Sequence, residues 1–83
     1  MRFKYLVLDN MGYFGNNDAF LLFPELVGHD EMVRKLDAKG HVVAAGFCII
    51  DKEGVQCGGK STSLRVESRG EVDARMMSKM GDA

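Results

Sequence analysis

Two cysteines, Cys48 and Cys57, lie on either side of a predicted hairpin turn, where a pair of thiols could form a disulfide. A two-residue loop would place the cysteines directly opposite each other in a non-hydrogen-bonded pair. A three-residue loop, which Glu53 and Gly54 favour, would place them on opposite faces of the hairpin. We favour the longer loop and expect two buried, unreactive thiols. Two cysteines are too few for a secreted disulfide scaffold, which favours reduced thiols in a cytoplasm.

The segment 54–61, GVQCGGKS, satisfies the pattern G-x-x-x-x-G-K-S/T and so resembles the Walker A loop of nucleoside triphosphatases. The resemblance implies that backbone amides from Gly54 to Gly59 cradle phosphates, that Lys60 reaches the terminal phosphates and that Ser61 holds magnesium. The match covers eight residues.

The surroundings of this segment argue against nucleotide chemistry. A phosphate loop needs a strand before it and a helix after it, yet 63–67 alternates like a strand and Gly70 interrupts any long helix. We therefore interpret the segment as a hairpin arm in which Gly58 and Gly59 form a bulge or bend. On this interpretation the protein needs no cofactor.

Other reactive side chains do not form a recognisable constellation. His29, Asp30, Glu31 and His41 have no diagnostic metal-ligand spacing, so we predict no metal site. Ser61 and Ser63 lack a nucleophile elbow and a positioned base. We expect no catalytic residues and no enzymatic activity.

Length and charge narrow the choice of functions. The 83 residues, 46% of them hydrophobic, suffice for one small domain, 1–83. Eleven basic residues against twelve acidic ones provide no excess of positive charge for binding nucleic acid. The longest uncharged apolar stretch, 41–50, has about half of the roughly 20 residues that a membrane span requires. The beginning of the chain lacks the long apolar region of a signal peptide.

Hydrophobic periodicity and turn residues predict the order β-β-α-β-β-β-α and an α+β fold. Short connections favour a twisted, mainly antiparallel sheet of about five strands, with both helices packed on one face. The predicted strands are 3–9, 19–23, 41–51, 55–58 and 61–67, and the predicted helices are 30–38, stopped by Gly40, and 71–80.

The second predicted helix begins with the spacing of a capping box, in which Ser68 and Glu71 satisfy each other's backbone donors. Val72, Met76 and Met80 recur at four-residue steps, and Met77 widens this apolar stripe. Glu71 and Arg75 are spaced for an ion pair.

The connection 10–18 carries Met11, Tyr13 and Phe14 within a polar, glycine-rich segment. Large apolar groups in such a loop either fold over the core or provide anchors for a partner. Our leading hypothesis is a non-enzymatic protein–protein interaction module that binds through the sheet face or this loop. An exposed edge strand could also support self-association.

Several short segments together resemble short uncharacterised proteins encoded by temperate phages and integrated mobile elements. They are Lys4–Asp9, Ala45–Phe47, Cys57–Ser61, Ser63–Leu64, Val66 and Ser68–Arg69. The resemblance implies a bacterial cytoplasm and an accessory role, such as binding a host protein, and it carries over no catalytic residue.

Overall fold

The fold is α+β, as the sequence predicts. A computed structural model describes residues 1–9 and 19–81, with side chains as far as Ser78. In chain order the elements are β1 (Arg2–Leu8), β2 (Ala19–Phe23), α1 (His29–Lys35), β3 (Val42–Asp51), β4 (Gly54–Gly58), β5 (Lys60–Ser61), β6 (Val66–Glu67) and α2 (Glu71–Gly81). Neither helix of this described part is long and apolar enough to cross a bilayer.

Four strands form one antiparallel sheet in the order β2-β1-β3-β4. The central position of β1 follows from its sequence, because Tyr5, Leu6 and Val7 are consecutive large side chains and all three are fully buried. A strand with such a run needs cover on both faces and on both edges. Its neighbour β3 is the strand that the sequence predicts to be central.

The prediction that both helices pack on one face is wrong. Met32 and Val33 of α1 pack with the core cluster that contains Leu6. Met76 and Met77 of α2 pack with the cluster that contains Tyr5. Tyr5 and Leu6 are adjacent strand residues and point to opposite faces. The two helices therefore cover opposite faces, since both faces of β1 are apolar.

The predicted fifth strand, 61–67, is instead a tight hairpin. Strands β5 and β6 form a separate two-stranded sheet, and Arg65 in the turn between them has a φ of 57°. The Ser61 hydroxyl accepts a hydrogen bond from the Leu64 amide at 3.3 Å. Such a side-chain bond to a nearby backbone donor favours a turn over a continuous strand.

The first helix is shorter than predicted. It ends at Lys35, and the residue with a left-handed backbone after its cap is Asp37, with a φ of 52°. Gly40, which the sequence predicts to stop the helix, also has a positive φ, 89°, but it lies in the later turn that leads into β3.

The β3–β4 hairpin has a two-residue loop, so the predicted three-residue loop is wrong. Asp51 pairs with Gly54, and the Asp51 carboxylate accepts a hydrogen bond from the Glu53 amide at 2.9 Å. The positive φ of Gly54, 127°, lets the chain reverse there without steric cost. In the resulting register Cys48 lies opposite Cys57.

Among the glycines of the described strands, Gly46 in β3 has the most restricted side-chain position. A Cβ there would overlap the Gly58 carbonyl oxygen and lie 3.0 Å from the Ser68 Cβ. We expect Gly46→Ala to lower the free energy of unfolding by about 1–3 kcal/mol, because backbone must move. Urea unfolding followed by circular dichroism measures this change. Gly58→Ala is the control, since its Cβ meets nothing within 4 Å; equal midpoints for the two variants would contradict the prediction.

Candidate functional site

A buried group of polar side chains joins α2 to the centre of the sheet. The Tyr5 hydroxyl donates a hydrogen bond to Asp73 Oδ2 at 2.5 Å and lies 2.5 Å from Ser68 Oγ. The Asp73 carboxylate also accepts hydrogen bonds from the Arg69 backbone amide at 2.8 Å and from Arg69 Nε at 2.7 Å. We call Tyr5, Ser68, Arg69 and Asp73 the polar node.

The polar node is chemically satisfied. Asp73 is fully buried, but three donors, one of them the Arg69 guanidinium, compensate its carboxylate. Among the described residues, each buried side-chain nitrogen or oxygen has a hydrogen-bond partner. A buried charge with this many partners is compatible with a stable fold, and removing one partner is costly. The arrangement fastens the beginning of α2 to β1.

The polar node replaces the predicted capping box. Ser68 Oγ accepts from the Gly70 amide at 2.9 Å, and Glu71 reaches outward to form the predicted ion pair with Arg75 at 3.5 Å. Instead, the Asp73 carboxylate accepts a hydrogen bond from the Arg69 backbone amide, which precedes the helix. The predicted apolar stripe is also displaced, because Val72 is 54% exposed.

Sequence reasoning missed Tyr5 and Asp73. A carboxylate in the first turn of a helix signals an interaction with the free amides before it, and Asp73 has that position. No comparable signal identified Tyr5, whose hydroxyl lies within an apolar strand. The partnership joins positions 68 residues apart in the chain.

Burial raises the pKa of Tyr5, and the hydrogen bond to Asp73 raises it further. Tyr5 is therefore a neutral donor at physiological pH and cannot act as a base. The polar node therefore has a structural role, which is to hold the beginning of α2 against β1.

The two cysteines lie together on the α2 side of the sheet. Cys48 is fully buried and its thiol donates a hydrogen bond to Met77 Sδ at 3.4 Å, while Cys57 is partly buried. Burial raises the pKa of both thiols, that of Cys57 to about 12 with a contribution from Cys48. Both are protonated at neutral pH and are weak nucleophiles.

The two histidines have separate structural contacts. His29 Nε2 donates to the Gly46 carbonyl oxygen at 3.0 Å, and burial lowers the pKa of this histidine. His41 Nδ1 lies 3.2 Å from Asp9 Oδ1 at the entrance to β3. Within residues 1–9 and 19–81, no group of three His, Cys, Asp or Glu side chains is placed to hold a metal ion.

The segment resembling a phosphate loop has a different backbone from such a loop. Gly54 begins β4, Gly59 has a φ of 78° between two strands, and Lys60 and Ser61 form β5. A turn follows Ser61, which is 1% exposed, in the place where a phosphate loop continues directly into a helix. Met11, Tyr13 and Phe14, the predicted partner anchors, lie outside the described residues.

Within the part of the chain that the structure describes, one end of the sheet face that carries α1 is open to solvent. A depression of about 300 Å³ there, which we call the Phe47 depression, is lined by Arg2, Phe47, Ile49, Gln56, Cys57, Gly58 and Gly59. The Arg2 guanidinium lies 4.3 Å from the centre of the Phe47 ring and 2.6 Å from a Glu25 carboxylate oxygen. Ile49 is 43% exposed.

Comparisons with known proteins give no family assignment. No protein-family model, curated protein or solved structure matches the chain.

The polar node predicts a loss of stability at alkaline pH. In the unfolded chain the Tyr5 hydroxyl ionises near its ordinary pKa of 10.0, whereas in the folded protein its pKa is raised and it stays neutral. The contribution of Tyr5 is therefore complete below pH 10 and declines as the pH rises, by up to about 1.4 kcal/mol per pH unit. Urea unfolding between pH 8 and pH 11 measures the decline.

Tyr5→Phe is the matched variant. At pH 8 it should cost about 1–3 kcal/mol, because a buried carboxylate loses a donor. Above pH 10 its free energy of unfolding should fall less steeply than that of the unaltered protein, and parallel curves for the two proteins would show that the Tyr5 hydroxyl is not held neutral.

Proposed function

We propose that the protein is a small protein-binding module and that the Phe47 depression is its binding surface. The observation that carries this proposal is the combination of an arginine, an aromatic ring and an exposed aliphatic side chain on an open sheet face. Sheet faces normally pack against another layer of structure, so an uncovered apolar area is typical of a contact surface.

The register explains why these side chains converge. Arg2 pairs with Ile49 across β1 and β3, and Ile49 pairs with Gln56 across β3 and β4. Residues directly opposite each other share a face, so the three side chains form a row across the sheet. The α1 helix packs farther along this face, against the core that contains Leu6.

Gly59 forms part of the wall of the depression beside Phe47. A Cβ at Gly59 would lie 3.0 Å from the Phe47 ring, and the φ of 78° at this residue disfavours a side chain. The absence of a side chain lets this backbone pack closely against the aromatic ring. Arginine and aromatic residues are also enriched among residues that contribute most to binding.

The size and charge of the depression indicate the kind of partner. A volume of about 300 Å³ accommodates one or two side chains, which favours an apolar anchor residue on a protein surface. Arg2 and Glu25 are both about half exposed, so an acidic group on the partner can compete with Glu25 for the guanidinium. The partner we propose presents an apolar side chain next to a carboxylate.

The resemblance to proteins of temperate phages and mobile elements supports a biological setting for this role. We propose that the partner is a bacterial host protein and that binding takes place in the cytoplasm. The near balance of basic and acidic residues is consistent with a protein partner rather than a nucleic acid.

Ile49→Lys tests the surface. The long charged side chain should abolish recovery of the partner from a lysate of the source organism, because it places a cation in the apolar centre beside Arg2. Val72→Lys is the matched control, since Val72 is 54% exposed on α2 and does not line the depression. Amide spectra of both variants should retain the native pattern. Loss of the partner in both variants, or in neither, would contradict the proposal.

Two alternative functions have specific tests. Lys60 and Arg65 both line a separate depression of about 360 Å³, so phosphate binding would appear as amide shifts at 58–65 during titration with ATP and magnesium. Self-association through β2, an outer strand of the sheet, would appear as concentration-dependent sedimentation.

The Tyr13→Ala, Phe14→Ala double variant tests the connection 10–18 as the binding surface.

A further inference from the structure

The register of the β3–β4 hairpin places Cys48 and Cys57 directly opposite each other. The hairpin closes at the Asp51–Gly54 pair around a two-residue loop, and hydrogen-bonded and non-hydrogen-bonded pairs alternate from there. The closing pair is hydrogen-bonded, so the third pair before it, Cys48–Cys57, is a non-hydrogen-bonded pair. Opposite Cα atoms in such pairs are about 4.5 Å apart, within the range that a disulfide bridges.

Both side chains also point to the same side of the sheet. They belong to the cluster that α2 covers, together with Tyr5, Ile50 and Val55. The Cys48 thiol donates only a weak hydrogen bond, to Met77 Sδ at 3.4 Å. A disulfide would forgo that contact but would remain an uncharged, apolar group, as this buried environment requires.

We propose that Cys48 and Cys57 form an intramolecular disulfide in the folded protein when it encounters a low-molecular-weight disulfide such as oxidised glutathione. The Cys57 thiolate attacks one glutathione sulfur, and the other glutathione leaves as a thiolate that takes up a proton. The Cys48 thiol then loses its proton, attacks the Cys57 sulfur and releases the second glutathione. Two protein thiols are oxidised, and one glutathione disulfide is reduced to two thiols.

The hairpin explains why the folded state should favour this bond. In the unfolded chain the two cysteines must find each other by closing a loop, whereas the register already holds them together in the native state. The bond joins β4, an outer strand, to β3 beneath α2. Because few thiolates are present at neutral pH, the exchange is slow, and the test must measure equilibrium.

The experiment compares the equilibrium with glutathione in the native protein and in concentrated urea. Mass spectrometry of acid-quenched, alkylated samples measures the fraction that has lost two hydrogen atoms. Samples begin from reduced protein and from protein oxidised in urea and refolded, and they are followed until the two agree. We expect the equilibrium constant for disulfide formation to be at least about tenfold larger in the native state. An equal or smaller native value would overturn the proposal.

A variant with one cysteine moved by one residue provides the matched control. Gln56→Cys combined with Cys57→Ser keeps almost the same loop length but places the second thiol on the opposite face, where Gln56 pairs with Ile49. Its equilibrium constant should be smaller in the native state than in urea. A native preference equal to that of the unaltered protein would show that the register is not responsible, and would overturn the proposal.

The folded product supplies a further criterion. The oxidised protein should retain the amide spectrum outside 46–59 and should unfold at a temperature at least about 5 °C higher than the reduced protein. Loss of the native spectrum on oxidation, or formation of covalent dimers instead of the internal bond, would mean that the two thiols do not face each other.

Discussion

The buried Asp73 carboxylate is the interaction on which the arrangement of the molecule depends. It binds the Tyr5 hydroxyl in the central strand and two nitrogen atoms of Arg69 just before α2. A charge in a fully buried position is tolerated only with such partners, so the carboxylate specifies where the helix begins and which face it covers. Met76 and Met77, whose side chains adapt to irregular space, complete the contact.

The central strand explains the layered arrangement around this interaction. Four consecutive buried side chains, Tyr5 to Leu8, require cover on both faces of the sheet, and two short helices provide it from opposite sides. The helix α2 encloses the thiols and the polar node, whereas α1 and the small β5–β6 hairpin leave the end around Phe47 open. The polar node and Cys48 are therefore enclosed, whereas the Phe47 depression, the surface that we propose for binding a partner, is open.

The sequence predicted much of the secondary structure but little of the site. The strand Ala19–Phe23 and the ion pair between Glu71 and Arg75 are confirmed, because local periodicity and local spacing determine them. The strand predicted at 61–67 is wrong, since one hydroxyl of Ser61 stabilises a turn that an alternating pattern does not reveal. The Phe47 depression had no signal in the sequence, as its walls come from three strands.

By itself, the sequence determined the α+β class, the antiparallel pairing and the positions of the main strands, because hydrophobic period and turn residues act over a few neighbours. Only the tertiary structure decided which face each helix covers, that Asp73 replaces Val72 as a buried residue of α2, and that Cys48 lies opposite Cys57. These features depend on partners distant in the chain and on a one-residue difference in loop length. A local pattern contains neither kind of information, since a shift of one residue reverses the face of every side chain in a strand.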